Sequence, residues 1–327
     1  MSDAPSADEP DHAYRPSDPM ATADVAVAEN TEPTTDSMTP VDADPRVVSE
    51  DGREAAPIDP TVTTSEKSRI SGRALPRVMA VANQKGGVGK TTTTVNLGAA
   101  LAEADFKVLV VDLDPQGNAT TGLGINHRIL DHTMYDVLLN GIDMDDCIEP
   151  TEVRGLFVAP ASLDLAGAEI ELVPQFSRES KLKRAIDGVI DDYDFIIIDC
   201  PPSLGLLTVN GLVAATEVLV PIQCEYYALE GLAQLTRNVD LVRDNLNPSL
   251  EISGIVLVMY DKRNKLGRQV VREVRNHFGA QVCRNVIPRN IKLSEAPSFG
   301  QPITVFDPSS RGAVAYRELA REVSNGA

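Results

Sequence analysis

The chain has 327 residues, a formal net charge of -18 and 43% apolar residues, enough for one large domain or two modest ones. Its four cysteines, Cys147, Cys200, Cys224 and Cys283, form no C-x-x-C pair, so they read as buried small residues of a reduced, cytoplasmic protein rather than a disulfide framework. No early stretch joins a basic start to an apolar run, as a secretory signal does, and none approaches the roughly 18 apolar residues of a membrane span.

Residues 1–75 hold sixteen Asp and Glu against six Lys and Arg, with nine prolines, one aromatic (Tyr14) and one leucine (Leu75). Such a segment cannot bury enough apolar surface to offset the entropy of ordering it. The expectation is a disordered acidic, Pro-rich arm. It reads either as a solvated tail that aids solubility or as a docking segment for a polar partner. Its most ordered-looking piece, ATADVAVAEN, is too short and too weakly apolar to decide.

From residue 76 the chain alternates strands and helices. VMAVAN is a short β-branched run that feeds a glycine-rich loop, and a helix is predicted over 91–104. KVLVVDLD and FIIIDCPPS read as buried strands that end in acids. EVLVPIQ, ISGIVLVMY and QVCRNVIP add three more, with helices predicted over 229–245, 265–278 and 313–323. Continuous apolar strands between helices imply an α/β fold, a mostly parallel twisted sheet with helices on both faces. Residues 76–327 are expected to form one such domain, with ligands outside the carboxyl ends of the strands.

Gly86, Gly87, Val88, Gly89, Lys90, Thr91 and Thr92 lie between the first strand and its helix, the setting of a phosphate-binding loop. Glycines let backbone N–H groups close around phosphate oxygens, and the helix N-terminus favours negative charge. Lys90 is expected to reach the β and γ phosphates, and the Thr91 hydroxyl to ligate Mg²⁺. Asp112 and Asp114 form D-L-D, and alternation predicts that both carboxylates point toward the nucleotide. The plainer reading of either is an Asp that caps the following turn. Asp199 ends FIIID, the position of an acid that holds Mg²⁺ directly or through water. No Asn-Lys-x-Asp stretch occurs, so ATP is expected rather than a guanine nucleotide.

One residue does not fit an ordinary phosphate loop. Lys85 precedes it, and taken alone is a solvated loop lysine. As a unit, however, K-G-G-V-G-K-T-T resembles the deviant Walker A type of P-loop NTPase, the ParA/MinD family. VVDLDPQGNATTGLG, LAGAEIELV, FIIIDCPPSLGLLT, PIQCEYYALEGL and VIPRNIKLSEAPSFGQPI are similar to its chromosomal ParA (Soj) branch, over about residues 76–325. The resemblance implies an ATP-sandwiched homodimer in which Lys85 crosses to the partner's phosphates. Lys85, Lys90 and Asp114 would then serve catalysis, Asp114 by placing the attacking water. Asp112 would support it as a switch residue, and Thr91, Asp112 and Asp199 would together hold Mg²⁺. Pro288 and Asn290 would lie near the adenine. Positioning and charge stabilisation carry such a reaction, so slow intrinsic turnover is expected.

Residues 260–292 invert the charge of the chain, with nine Lys and Arg against Asp261 and Glu273. Arg268, Arg272 and Arg275 share one helix face, while Val270, Val271, Val274 and Phe278 share another. A solvated basic face is the plain reading. The family resemblance implies non-specific double-stranded DNA instead, contacted by Arg263, Lys292 and the neighbouring Lys265, Arg268, Arg272 and Arg275. It further implies a ParB-like centromere-binding partner that stimulates hydrolysis, and a cytoplasmic, nucleoid-associated protein. Three rivals are weighed against this reading. A membrane-cycling ATPase needs a terminal amphipathic helix, and GAVAYRELAREVSNGA has mixed charge and few bulky apolar groups. An iron–sulfur reductase needs paired cysteines. A regulatory adaptor, whose nucleotide state switches a protein partner, stays open through the acidic arm.

Overall fold

A computed structural model of the protein describes residues 74–225 and 228–325, which belong to one compact unit. The acidic arm expected over 1–75 therefore lies outside the described residues except for its last two. Of these, Leu75 packs against the core of the domain.

Eight strands form one sheet: β1 (Arg77–Val81), β2 (Val108–Asp112), β3 (Glu149–Pro150), β4 (Leu156–Ala159), β5 (Phe195–Asp199), β6 (Glu217–Gln223), β7 (Glu251–Tyr260) and β8 (Val282–Pro288). Their order is β3-β4-β2-β5-β1-β6-β7-β8. All neighbours run parallel except the short edge pair β3/β4. Ten helices accompany them among the described residues: α1 (Lys90–Glu103), α2 (Asn118–Gly122), α3 (Leu165–Glu171), α4 (Lys181–Asp187), α5 (Leu206–Ala214), α6 (Ala228–Asn245), α7 (Lys265–Phe278), α8 (Ile291–Glu295), α9 (Ile303–Phe306) and α10 (Arg311–Ser324).

Strand alternation sorts the apolar residues into two cores. Leu109, Val111, Ile196 and Ile198 face one side, under α5, α6 and α7. Val108, Val110, Phe195 and Ile197 face the other, under α1 and α10. This is the two-sided cover that continuous apolar strands require. At Gly98 a side chain would meet Val110 Cγ2 at 3.2 Å and Leu156 Cδ1 at 3.3 Å, so glycine lets α1 lie close on the sheet.

The expected mostly parallel sheet with helices on both faces is present. The sequence reading has no counterpart of β3 and β4, which span two and four residues and are too short to display a period. It also runs β2 two residues too far. The strand ends at Asp112, and Asp114 lies in the turn beyond it, so strand alternation does not relate the two carboxylates.

At the opposite end of the sheet, Arg77 donates Nε to Glu217 Oε1 at 2.7 Å and a terminal nitrogen to Oε2 at 2.6 Å. Its other nitrogen reaches the Val323 carbonyl at 2.6 Å, and the guanidinium lies 5.3 Å from the Phe195 ring centre. The pair thus joins β1, β6 and α10 where water is excluded. Removing one member strands the other charge. Glu217→Ala is expected to cost about 3–5 kcal/mol in urea unfolding, while the paired change Arg77→Met with Glu217→Leu costs far less.

The nucleotide-binding site

The strand order fixes the site before any side chain is placed. β5 lies between β2 and β1, with Asp112 and Val81 both in register with Asp199. The phosphate loop leaves β1 and enters α1 through Gly89, whose left-handed φ of 79° favours glycine. Gly86 and Gly87 have open space around them, so the loop can receive a ligand closely. Asn83, not singled out by the sequence reading, braces its start. Its side-chain nitrogen donates to the Pro221 carbonyl at 2.8 Å, and its oxygen accepts the Lys85 amide at 3.0 Å.

Lys90 is buried, its ammonium 3.5 Å from the Lys85 carbonyl. Burial pushes its pKa below the ordinary lysine value, opposed by the charges of Asp199 and Asp114. The cation is therefore held where it lacks water and awaits anionic oxygen. Asp199 is fully buried and accepts the Thr94 hydroxyl on Oδ1 at 3.0 Å, with the Thr91 hydroxyl alongside. Its Oδ2 has no hydrogen-bond partner. Burial, and then repulsion from Asp112, raise its pKa. A buried carboxylate with one free oxygen beside a hydroxyl at a helix start fits a hard divalent cation such as Mg²⁺.

Asp112 differs. Its Oδ2 accepts the Thr120 amide at 2.8 Å and the Thr120 hydroxyl at 2.7 Å, and its Oδ1 accepts the Asp114 amide at 3.1 Å. Burial raises its pKa against these bonds. Both oxygens are engaged by this chain, so Asp112 braces the turn into α2, while the free oxygen belongs to Asp199. Asp114 is held by that turn. Its amide is tied to Asp112, and its Oδ1 accepts the Gln116 amide at 3.0 Å. The two carboxylates thus differ in their bonding, Asp112 with both oxygens engaged and Asp114 bonded through Oδ1 to the Gln116 amide, while the charge of Asp114 opposes the lowering of the Lys90 pKa.

Beside the loop lies a cavity of about 370 Å³, lined by Gly89, Thr92, Met259, Pro288 and Asn290 among others. The size suits a purine base. Pro288 and Asn290 therefore share a cavity with the phosphate loop although about two hundred residues separate them. Met259, which the sequence reading missed, enters the same wall with a left-handed φ of 52°, uncommon outside glycine. Lys85 stands apart from Lys90. Its ammonium pairs with Glu225 Oε2 at 2.9 Å, both side chains about half exposed.

The arginine stripe of α7 is exposed. Arg268, Arg272 and Arg275 of α7 are exposed while Val270 and Val274 are buried, as the helical spacing predicts. Arg275 donates to the Arg284 carbonyl at 3.1 Å. Lys265 begins the same helix, Arg263 precedes it, and Lys292 stands on α8 nearby in the chain.

A phosphate loop between strand and helix, facing acids at the ends of two neighbouring strands, defines a P-loop nucleotide-binding protein. The AAA-domain family matches residues 76–252. The sporulation initiation inhibitor protein Soj of Bacillus subtilis is 57% identical over 248 residues, covering 76% of this chain and 98% of that protein. The chromosome partitioning protein ParA of Myxococcus xanthus is 54% identical, with 76% and 87% covered. Among solved structures, a Mycobacterium smegmatis protein described as cobyrinic acid a,c-diamide synthase, with ADP and magnesium bound, matches at a TM-score of 0.66 and 42% identity. That match covers 75% of this chain and 93% of the other. The chain belongs to the ParA/Soj family of P-loop ATPases.

The partnerless oxygen of Asp199 has a consequence for the protein free of metal and nucleotide. Raised pKa values mean that the folded state keeps protons the unfolded chain has lost above pH of about 4, so stability falls as pH rises from there. Asp199→Asn is expected to flatten that fall. Near neutral pH it should stabilise the free protein by about 1–3 kcal/mol in urea unfolding, by removing the proton uptake that folding there demands of this buried carboxyl.

Proposed function

We propose that this protein is an ATP-dependent chromosome-partitioning ATPase whose ATP-sandwiched dimer binds DNA non-specifically and leaves it on hydrolysis. The observation that carries the reading is the site itself: Lys90 buried beside Asp114 and Asp199, with a second lysine on the same loop. Relatives described as chromosome partitioning proteins, matched over most of their length, support it. The synthase description belongs to a match of lower identity.

The reaction follows from the geometry. Backbone N–H groups of Gly86–Lys90 and the start of α1 grip the phosphates. Lys90, already dehydrated, neutralises the β and γ oxygens without a further desolvation cost. Thr91 and Asp199 would hold Mg²⁺, which would supply charge neutralisation at the phosphate oxygens. Asp114, fixed through its own amide and the Gln116 amide, orients water in line with the γ phosphate. Asp112 serves by holding that turn. Lys85 exchanges its exposed partner Glu225 for the phosphates of the second subunit, which makes the dimer depend on the nucleotide. An exposed ion pair is weak enough to be given up in this way.

Arg263, Lys265, Arg268, Arg272, Arg275 and Lys292 form the face for phosphate backbones. Lysine at 292 keeps the charge that sequence-independent contact needs, without the planar fork of arginine. A ParB-like partner would act on the dimer to speed hydrolysis. No described helix is long and apolar enough to cross a membrane. All four cysteines are buried free thiols.

Binding of random-sequence duplex DNA by the Asp114→Ala protein is expected to be tight and salt-sensitive with ATP and weak with ADP. Equal or absent binding in both states would sink the DNA reading and leave an adaptor ATPase. Lys85→Ala is expected to bind ATP yet stay monomeric by light scattering, whereas an ATP-dependent dimer of that variant would overturn the crossing-lysine assignment.

A further inference from the structure

The basic face holds two kinds of cation. Lys262, Lys265, Arg268 and Arg272 are paired with no carboxylate among the described residues. Arg263 and Lys292 are different. Arg263 donates Nε to Asp261 Oδ1 at 3.2 Å and a terminal nitrogen to Oδ2 at 3.1 Å, a two-point grip. Lys292 donates to Glu295 Oε2 at 2.8 Å, one turn along α8. Arg263 is 86% exposed, so its pairing is not forced by burial. The planar array it finds on Asp261 is the one a phosphate would offer.

Both pairs also grow out of the base cavity. Met259 lines one wall and Asp261 lies two residues beyond it; Asn290 lines the other and Lys292 lies two residues beyond. Asn290 Oδ1 accepts the Lys292 amide at 3.0 Å, fixing the start of α8. The walls are tied together where the Arg289 amide donates to the Tyr260 carbonyl at 3.1 Å. The left-handed backbone at Met259 is the point from which the chain turns out toward Asp261.

We propose that Asp261 and Glu295 are internal stand-ins for DNA phosphate, holding Arg263 and Lys292 in self-neutralised pairs that lower DNA affinity until ATP, bound at the phosphate loop that opens on the same cavity, releases them. The inference rests on the DNA reading above and adds the residues that gate it. Its physical basis is competition. A cation held by its own carboxylate must give up that partner before it can displace a counterion from DNA, and the freed carboxylate then repels the duplex. Because both pairs are exposed, each offers a modest barrier, suited to a switch that the nucleotide must reverse. The stripe cations supply the ungated remainder of the attraction.

The test is anisotropy of a labelled random-sequence duplex with the full chain carrying Asp114→Ala, with ATP and with ADP, across a salt series. Asp261→Asn keeps the oxygen that accepts the Arg263 amide at 2.9 Å, and Glu295→Gln keeps shape, so both preserve the local fold. Each should tighten binding with ADP by about two- to fivefold, the span an exposed ion pair commands, and by less with ATP. The dependence of log affinity on log salt should steepen by about 0.9 for each further phosphate that the freed cations neutralise. In an Arg263→Ala background, Asp261→Asn should tighten binding clearly less than it does in the parent, since only repulsion by the bare carboxylate is left to remove; an equal gain in both backgrounds would reflect net charge alone and overturn the proposal. Unchanged affinity for both carboxylate variants, while Arg263→Ala weakens binding, would overturn it and leave the DNA reading intact. If Arg263→Ala and Lys292→Ala bind like their parent, the DNA assignment of these two residues fails, and the gate with it.

Discussion

Two carboxylates, Asp112 and Asp199, lie side by side at the ends of adjacent parallel strands with no access to water. Like charges so placed repel, and each loses its hydration, so the arrangement persists only if the surroundings answer both. The protein answers them in different ways. Asp112 receives two amide hydrogens and a hydroxyl from its own chain. Asp199 receives hydroxyl contacts and keeps one oxygen free. Much of the local architecture follows: the tight turn after β2, Thr120 as its anchor, and the buried threonines on the first turns of α1. Thr120 extends the brace further, its hydroxyl accepting the Ala161 amide at 3.0 Å and so tying the chain beyond β4 to the same turn.

This division of labour makes the site directional. One carboxylate is spent on structure, so the turn that carries Asp114 is rigid before any ligand arrives. The other is left short of partners, so the site gains most when a cation completes it. Lys90 is short of partners in the complementary sense, a buried ammonium that lacks oxygen. Free protein thus keeps a buried amine and a buried carboxyl short of partners at the mouth of one loop, which a metal–triphosphate would satisfy together. Preorganisation of this kind is where phosphoryl-transfer sites draw their rate, because little covalent chemistry falls to the protein.

The outer surface follows the opposite rule. Around the basic face the charges are exposed and their pairs are weak and exchangeable. Lys85 with Glu225, Arg263 with Asp261, and Lys292 with Glu295 are all of this type. Permanent contacts, such as Arg77 with Glu217, are buried and lie at the far end of the sheet. A protein that carries net charge -18 can still attract a polyanion, because attraction is local over a Debye length of about 8 Å. Clustering nine cations within residues 260–292 supplies that locality.

Several features were legible in the sequence because they depend on near neighbours. Apolar runs such as FIIID and EVLVPIQ announced buried parallel strands, and Gly86–Thr91 between strand and helix announced the phosphate loop. The spacing of Arg268, Arg272 and Arg275 announced an exposed stripe opposite Val270 and Val274. These are properties of helix and strand periods, which a short window of sequence contains. Tertiary structure alone decided what depends on residues far apart in the chain. It ended β2 at Asp112 and bound that carboxylate to Thr120, so strand alternation does not reach Asp114. It brought Met259, Pro288 and Asn290 to Gly89 and chose Glu225 as the resting partner of Lys85. The physical reason is that hydrogen bonds and ion pairs are satisfied by whatever the folded sheet order places within about 3 Å, and that order is absent from any local pattern.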